Sequence, residues 1–351
     1  MKIKLSDVKI VPLLDTLRIA DISDDVYFSN KYSEYTSNSR LKYIDPKDGG
    51  SPDEYKRNHE FSTPSLKIGS AIHECLLQPE SFKLLPNMGK PNAKLGEVAE
   101  KAYIYHKEGM SLEDAIRKAC VEVHYYVNLI DKKIPMIIEK STDFWNKLDE
   151  PRSKEVGVEE ILLSDPDYNI VSGCLESCNN NKTIMSKLHP LNSKGEAVES
   201  YNEIAFFIDF LFVYKNQPPK YVKFKMKADN FTINVVDKKI VLNDLKTTGK
   251  PINWFMNTEY GSLVHYSYYR QLGLYMWMLY LYCSRKYGAT KEAGWKYEAN
   301  FLVVQTFDDY ASKCFNLSKD WLNVGLLEGQ NLLKRIAAYK MFGWDSKIEF
   351  E

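Results

Sequence analysis

Asp229 and, fifteen residues on, Asp244-Leu245-Lys246 place two carboxylates and an amine in one stretch, KYVKFKMKADNFTINVVDKKIVLNDLKTTGK. Val222, Phe224, Met226 and Ala228 alternate with Lys223, Lys225, Lys227 and Asp229, so the lysines and Asp229 share one face of a β-type run. In a second β-type run, Asp244 and Lys246 are two apart and also share a face. A two-residue turn at Asp237-Lys238 would set Asp229 opposite Lys246, with Asp244 diagonally adjacent. Opposed residues lie roughly 4.5–5.5 Å apart and diagonal ones about 7–8 Å, so the three groups would converge. A three-residue turn would shift the register by one and exchange the faces. Hard cations such as Mg²⁺ or Mn²⁺ take oxygen ligands, and Mg²⁺ favours few carboxylates, several waters and substrate phosphate. Such an ion polarises phosphate and activates water. A lysine beside it can orient that water, or take its proton if its own pKa is pulled down. The same three residues also suit a solvated hairpin with a surface salt bridge, so the pattern needs company.

Company exists elsewhere in the chain. Gly69-Ser70-Ala71-Ile72-His73-Glu74 opens an apolar segment ending before Pro79; small residues suit close helix approach, and histidine is a common metal ligand. Gln271 and Tyr275, in YYRQLGLYMWML, sit at i, i+4 on one helix face, with Arg270 a phosphate-type donor beside them. Each also has a structural reading: His73 as a packed histidine, Tyr275 in a core, Gln271 on a surface.

Taken in order, Asp229, Asp244-Leu245-Lys246 and Gln271-x-x-x-Tyr275 resemble the motifs of RecB-like PD-(D/E)XK nucleases, and the His73 segment resembles the histidine motif that precedes them. Within that superfamily the chain is most similar to the RecE, or exonuclease VIII, family of phage-type exonucleases. Ser37-Asn38-Ser39-Arg40-Leu41-Lys42 resembles its N-terminal element, followed by Leu77-x-Pro79-Glu80-x-Phe82; Glu203 is placed like its first acidic residue; Trp321-Leu322 with Gly325, and Gly343-Trp344, resemble its closing helices. Lys227-Ala228 stands where that family has Arg-Pro, a departure that touches the local backbone and any phosphate contact made there. Residues 90 to 150 match no element of it.

The resemblance implies a restriction-endonuclease-like α/β core with a central mixed β-sheet flanked by helices. It implies that Asp229, Asp244 and the Leu245 carbonyl hold Mg²⁺ or Mn²⁺, with His73 a further ligand and Glu203 nearer a second ion. Lys246 would orient and activate water, and Gln271, Arg270, Tyr275 and Lys227 would position the DNA backbone. It implies 5′→3′ digestion of linear double-stranded DNA, a ring-like homo-oligomer, and delivery of 3′ single strands to a phage annealing protein. Two alternatives are another RecB-like or Cas4-like nuclease without an iron–sulfur cluster, and a DNA-binding protein that kept the fold but lost catalysis. Against the latter, Asp229, Asp244 and Lys246 are all retained.

Composition bounds these readings. The 351 residues include 47 Lys+Arg and 47 Asp+Glu, a formal net charge of zero. Duplex DNA selects basic patches, so charge must be segregated here; the lysine face at 220–227 with Lys246 and Lys250 is the candidate. The six cysteines lack zinc spacing, Cys283 and Cys314 are too far apart for a cluster, and Cys174-x-x-x-Cys178 suits a helical core. The N-terminus MKIKLSDVKIVPLL is too short and charged for a secretory signal, and Leu272 to Cys283 is too short to span a bilayer, so a reducing cytoplasm and no membrane are expected.

These residues require elements to position them. Residues 1–60 read as an irregular arm, 66–78 as a helix, 90–150 as a helical insert and 166–188 as one helix. Residues 195–345 read as the catalytic core, with strands at 201–214, 220–229, 231–236 and 240–247. A long helix runs from Gly261-Ser262 to about Lys286, a strand spans 299–306, another is placed at 311–316, and a final helix spans 318–341. No domain boundary is evident, and a single domain is expected over 1–351.

Overall fold

In the computed structural model, residues 1–57, 64–86, 89–91, 93–149 and 157–351 are described. The chain divides into two compact units, Met1–Gly69 with Cys174–Glu351, and Ser70–Gly173.

The larger unit is built on a six-stranded mixed sheet. Its strands are β1 (Lys9–Asp21), β2 (Glu199–Val213), β3 (Lys220–Asn234), β4 (Lys239–Thr248), β5 (Lys296–Gln305) and β6 (Ser312–Asn316), in the spatial order β1-β2-β3-β4-β5-β6. Neighbours are antiparallel except β4 and β5, which are parallel. A parallel pair needs a crossover, and the helix Tyr268–Tyr287 supplies it. The expected helix from Gly261 is broken at Ser267, whose φ of 53° separates a short turn, Ser262–His265, from the long helix. A second long helix, Lys319–Phe342, starts at Ser318, whose hydroxyl accepts from Trp321 N, and lies across the first. The two backbones nearly touch: a Cβ on Gly325 would lie 2.1 Å from the Tyr269 carbonyl oxygen, and one on Gly273 would lie 2.4 Å from Leu326 N. Only glycine permits that crossing.

The apolar face of the sheet meets these helices. Ile204, Phe206, Ile208, Phe210 and Phe212 of β2, Val222, Phe224, Met226 and Ala228 of β3, and Phe301 and Val303 of β5 pack in one core with Leu272, Met278, Leu279, Leu333 and Ile336. On the opposite face Tyr27, Tyr32, Ala205 and Phe207 form a smaller cluster. Of the expected irregular arm at 1–60, the described residues, 1–57, are no such arm. They supply β1 and much of this aromatic cover. Their strand signal is masked because β1 is an edge strand carrying Pro12 and a register shift between Leu13 and Arg18, where Thr16 accepts a hydrogen bond from Asp209 N.

Two irregularities shape the sheet near Asp229. Glu203 has a left-handed φ of 54°, and the register places it across from Asp229, between the pairs Asn202–Asn230 and Ile204–Ala228. Beyond this kink the alternation inverts in both strands: Phe231 joins the core that Ala228 faces, and Tyr201 packs against it. A row of asparagines, buried at Asn230, Asn243 and Asn300, also crosses the strands. Asn230 donates to Asn202 (2.7 Å), Asn243 to Asn230 (2.7 Å), Asn300 to Asn243 (3.0 Å) and Asn316 to Asn300 (3.0 Å). A register slip would strand buried amides, so the row holds the strands in alignment.

The expected single helix at 166–188 is two, Asp165–Asn180 and Lys182–Leu188, because Asn181 turns to cap the second by accepting from Thr183 N and Ile184 N. In the smaller unit, helices Ala93–Lys107, Leu112–Glu122 and Ile130–Asp149 enclose their own core of Val98, Ala102, Ile116, Ile137 and Phe144. Trp145 donates to the Ala99 carbonyl at 2.8 Å within it.

Candidate active site

The hairpin of β3 and β4 turns through four residues, Val235 to Lys238, so Asn234 pairs with Lys239 and Asn230 with Asn243. Continuing that register sets Asp229 level with Asp244, not with Lys246 as a two-residue turn would have it. The shift is two residues, so parity survives and the groups still converge. Past Asn230 the Asp229 carboxylate replaces the backbone ladder: its Oδ2 accepts from Leu245 N at 2.8 Å. Across β2 and β3, a carboxylate oxygen of Glu203 lies within 4.8 Å of one of Asp229.

Asp244 is 1% exposed at its side chain, and its two oxygens have different partners. Oδ1 accepts from Gln271 Nε2 at 2.8 Å, and Oδ2 lies 2.5 Å from Lys246 Nζ. The same ammonium donates to the Leu245 carbonyl at 3.3 Å and sits 5.1 Å from the centre of the Tyr268 ring. Burial alone would lower the Lys246 pKa, but the carboxylates of Asp244 and Asp229 outweigh it and hold the pKa above its ordinary value. Lys246 is thus an ammonium, suited to orienting and to offsetting negative charge rather than to taking a proton. Tyr275, one helical turn beyond Gln271, is buried; burial first, then Tyr27 and the two aspartates, push its phenol well above the usual range, so it remains a neutral donor.

The donor set suits a hard cation. The Lys246 ammonium already takes Asp244 Oδ2 and the Leu245 carbonyl, two of the oxygens expected as ligands, and so stands in for the positive charge that this oxygen cluster requires. Glu203 and Asp229 add carboxylates on the adjoining strands. His73 lies on the helix Pro64–Leu77, in the smaller unit.

Three expected DNA contacts are engaged within the protein: Gln271, which is bonded to Asp244, and Arg270 and Lys227. Arg270 is 2% exposed: it reaches Asp45 Oδ2 at 2.5 Å, Glu328 Oε1 at 3.3 Å and Asn38 Oδ1 at 3.3 Å. It clamps the N-terminal segment to the two long helices and does not accompany Gln271, because consecutive helical residues point about 100° apart. Lys227 lies 2.5 Å from Asp24 and 3.2 Å from Glu203. The rest of the lysine face is also occupied: Lys223 pairs with Glu34 at 2.7 Å, and buried Lys225 donates to the Tyr27 carbonyl at 2.6 Å. Sequence reasoning missed Tyr268. Its i, i+3 relation to Gln271 is the signal that could have found it.

Set beside known proteins, the sequence matches no family model and no curated protein. Among solved structures, a crystal structure from Eubacterium rectale named "Putative exonuclease" aligns over 93% of this chain and 89% of that one, with 9% identity and a TM-score of 0.43. That likeness is too slight to assign either fold family or activity. The six cysteines are free thiols, with Cys174 and Cys178 buried and raised by burial to about 12. Among the described residues no helix is long and apolar enough to cross a membrane.

Proposed function

We propose that this chain is a metal-dependent nuclease of the PD-(D/E)XK kind that hydrolyses phosphodiester bonds of DNA, acting as an exonuclease on linear duplex ends. One observation carries the reading: Lys246, Asp244 and the Leu245 carbonyl share a contact where the pairing of β3 with β4 stops, with Asp229 fixed beside them through Leu245 N. Asp229, Asp244 and the Leu245 carbonyl would hold Mg²⁺ or Mn²⁺, with Glu203 nearer a second ion; His73 joins them by its sequence motif. When bound, the ion would polarise the scissile phosphate and activate water.

The chain's own groups do the rest. Gln271 fixes the Asp244 carboxylate through Oδ1 and leaves Oδ2, now on the Lys246 ammonium, as the oxygen that would face a cation. The Lys246 ammonium, placed among these oxygens, would act as a preorganised donor toward the attacking water and the charge that develops on phosphate. Tyr275, as a neutral phenol, can donate to a phosphate oxygen. By resemblance, digestion runs 5′→3′, the enzyme forms a ring around DNA, and its 3′ single strands feed a phage annealing protein in a host cytoplasm.

Incubation of linear and covalently closed circular duplex with Mg²⁺, beside Asp244→Asn, tests this. Linear DNA should release nucleotides only with the cation and only from the native protein, while closed circles survive. Rapid cutting of closed circles would replace exonuclease with endonuclease; no cation-dependent release from any DNA would overturn the nuclease reading.

A further inference from the structure

The segment joining β4 to the helix Tyr268–Tyr287 carries aromatic side chains that the hydrolytic set does not use. Trp254, Tyr260 and Tyr266 are 47%, 50% and 54% exposed. They are held in a fixed arrangement. The rings of Trp254 and Tyr260 meet edge to face at 5.4 Å. Tyr266 lies against Tyr268 at 5.4 Å; Tyr268 stacks on buried Phe255 at 5.9 Å and carries the Lys246 ammonium over its ring. The loop closes tightly on itself: a Cβ on Gly261 would lie 2.4 Å from the carbonyl oxygens of both Trp254 and Asn257, and Asn257 Oδ1 accepts from Glu259 N and Tyr260 N. Little conformational freedom remains to be lost when a partner arrives.

We propose that this aromatic rim binds unpaired nucleotides by base stacking, so that the form of DNA reaching Asp229, Asp244 and Lys246 is a strand already separated from its complement. The inference rests on the nuclease reading and names its immediate substrate. Continuity argues for the occupant: contact runs from Tyr266 through Tyr268 to Lys246, and Trp254 is joined to Tyr268 through its chain neighbour Phe255, so a chain lying on these rings leads toward the site. Chemistry agrees. Between Gly249 and Ser267 the ionisable side chains other than tyrosine are Lys250, Glu259 and His265, too few and too balanced to grip a duplex backbone. Exposed flat rings instead match the π-face that every base presents once unstacked, and such binding tolerates any sequence. Paired bases in a duplex offer that face only at the end.

The test is binding of a fluorescein-labelled oligothymidylate of about twelve nucleotides, in EDTA, followed by anisotropy for the native chain, Trp254→Ala and Tyr266→Ala. Both residues are exposed, so both variants should fold. Each should weaken single-strand binding about tenfold or more, and on linear duplex with Mg²⁺ each should raise KM with kcat retained. Native affinity in both variants would overturn the proposal, as would an equal loss for blunt duplex of the same length. If the native chain hydrolyses no DNA yet the aromatic variants still lose oligothymidylate, the rim stands and the nuclease reading falls.

Discussion

Lys246→Met removes one charge while keeping an unbranched apolar stem, and it separates the structural work of the lysine from the catalytic work proposed for it. Lys246 lies 2.5 Å from Asp244 Oδ2, on a carboxylate side chain only 1% exposed. Breaking such a pair leaves a buried charge without its counter-ion, a loss of about 3–5 kcal/mol. For a unit of this size each kcal/mol moves Tm by roughly 2–4 °C, so Lys246→Met should melt roughly 6–20 °C below the native chain in EDTA. The sign with pH is simple. Because the folded pKa of Lys246 is raised, the stability it contributes is complete below the ordinary lysine pKa and fades only in more alkaline solution, so a measurement at pH 7.5 reads all of it. Mg²⁺ should then behave unequally. At the proposed metal site a cation would have to displace an ammonium in the native chain and would meet an uncompensated oxygen cluster in the variant. At one hundred times its Kd a ligand adds about 2.7 kcal/mol, and at equal Mg²⁺ the variant should gain more Tm than the native chain. Turnover should nevertheless fall roughly 10²-fold, the loss typical of a removed preorganised donor. Differential scanning fluorimetry with a Mg²⁺ titration, beside single-turnover cleavage, reads both effects. A variant with native Tm in EDTA and a native Mg²⁺ response would show that the ammonium does not neutralise Asp244, and the reasoning would fail.

Three further outcomes are expected. Arg270→Met strips the guanidinium from buried Asp45 and should cost about 3–5 kcal/mol in urea unfolding, while DNA affinity per folded molecule is unchanged; weaker binding at native stability would place Arg270 on the nucleic acid after all. Asn243→Leu interrupts the amide row between Asn230 and Asn300 and should cost about 1–3 kcal/mol for each amide left unmatched; an unchanged urea midpoint would remove the row from the account of register. Lys225 is lowered to about 8, by burial first and then by Arg40, so between about 8 and the unfolded value of about 10.4 the unfolded chain holds more protons and stability rises with pH. The rise should total roughly 3 kcal/mol and be absent in Lys225→Met; equal pH profiles for the two proteins would contradict it.

Local chemistry made several parts of this protein legible in the sequence. Alternation along Val222–Asp229 and at Asp244 and Lys246 revealed strands and shared faces, because a strand points its side chains by parity alone. The spacing of Gln271 and Tyr275 placed both on one side of a helix, and Gln271 does reach Asp244. Other features depended on partners remote in the chain. The four-residue turn and the asparagine row, not the hairpin residues alone, decide that Asp229 stands level with Asp244. The left-handed Glu203 turns two strands over at once, which no alternation pattern within either strand announces. Arg270 looks like a phosphate ligand until Asp45, 225 residues earlier, is seen beside it. The edge strand at Lys9–Asp21 reads as irregular because its pairing energy comes from β2, nearly two hundred residues away. Secondary structure and facing follow from steric and hydrophobic rules acting over a few residues. Register, charge pairing and the accessibility of each donor depend on which distant segments are brought together, and that only the packed tertiary structure decides.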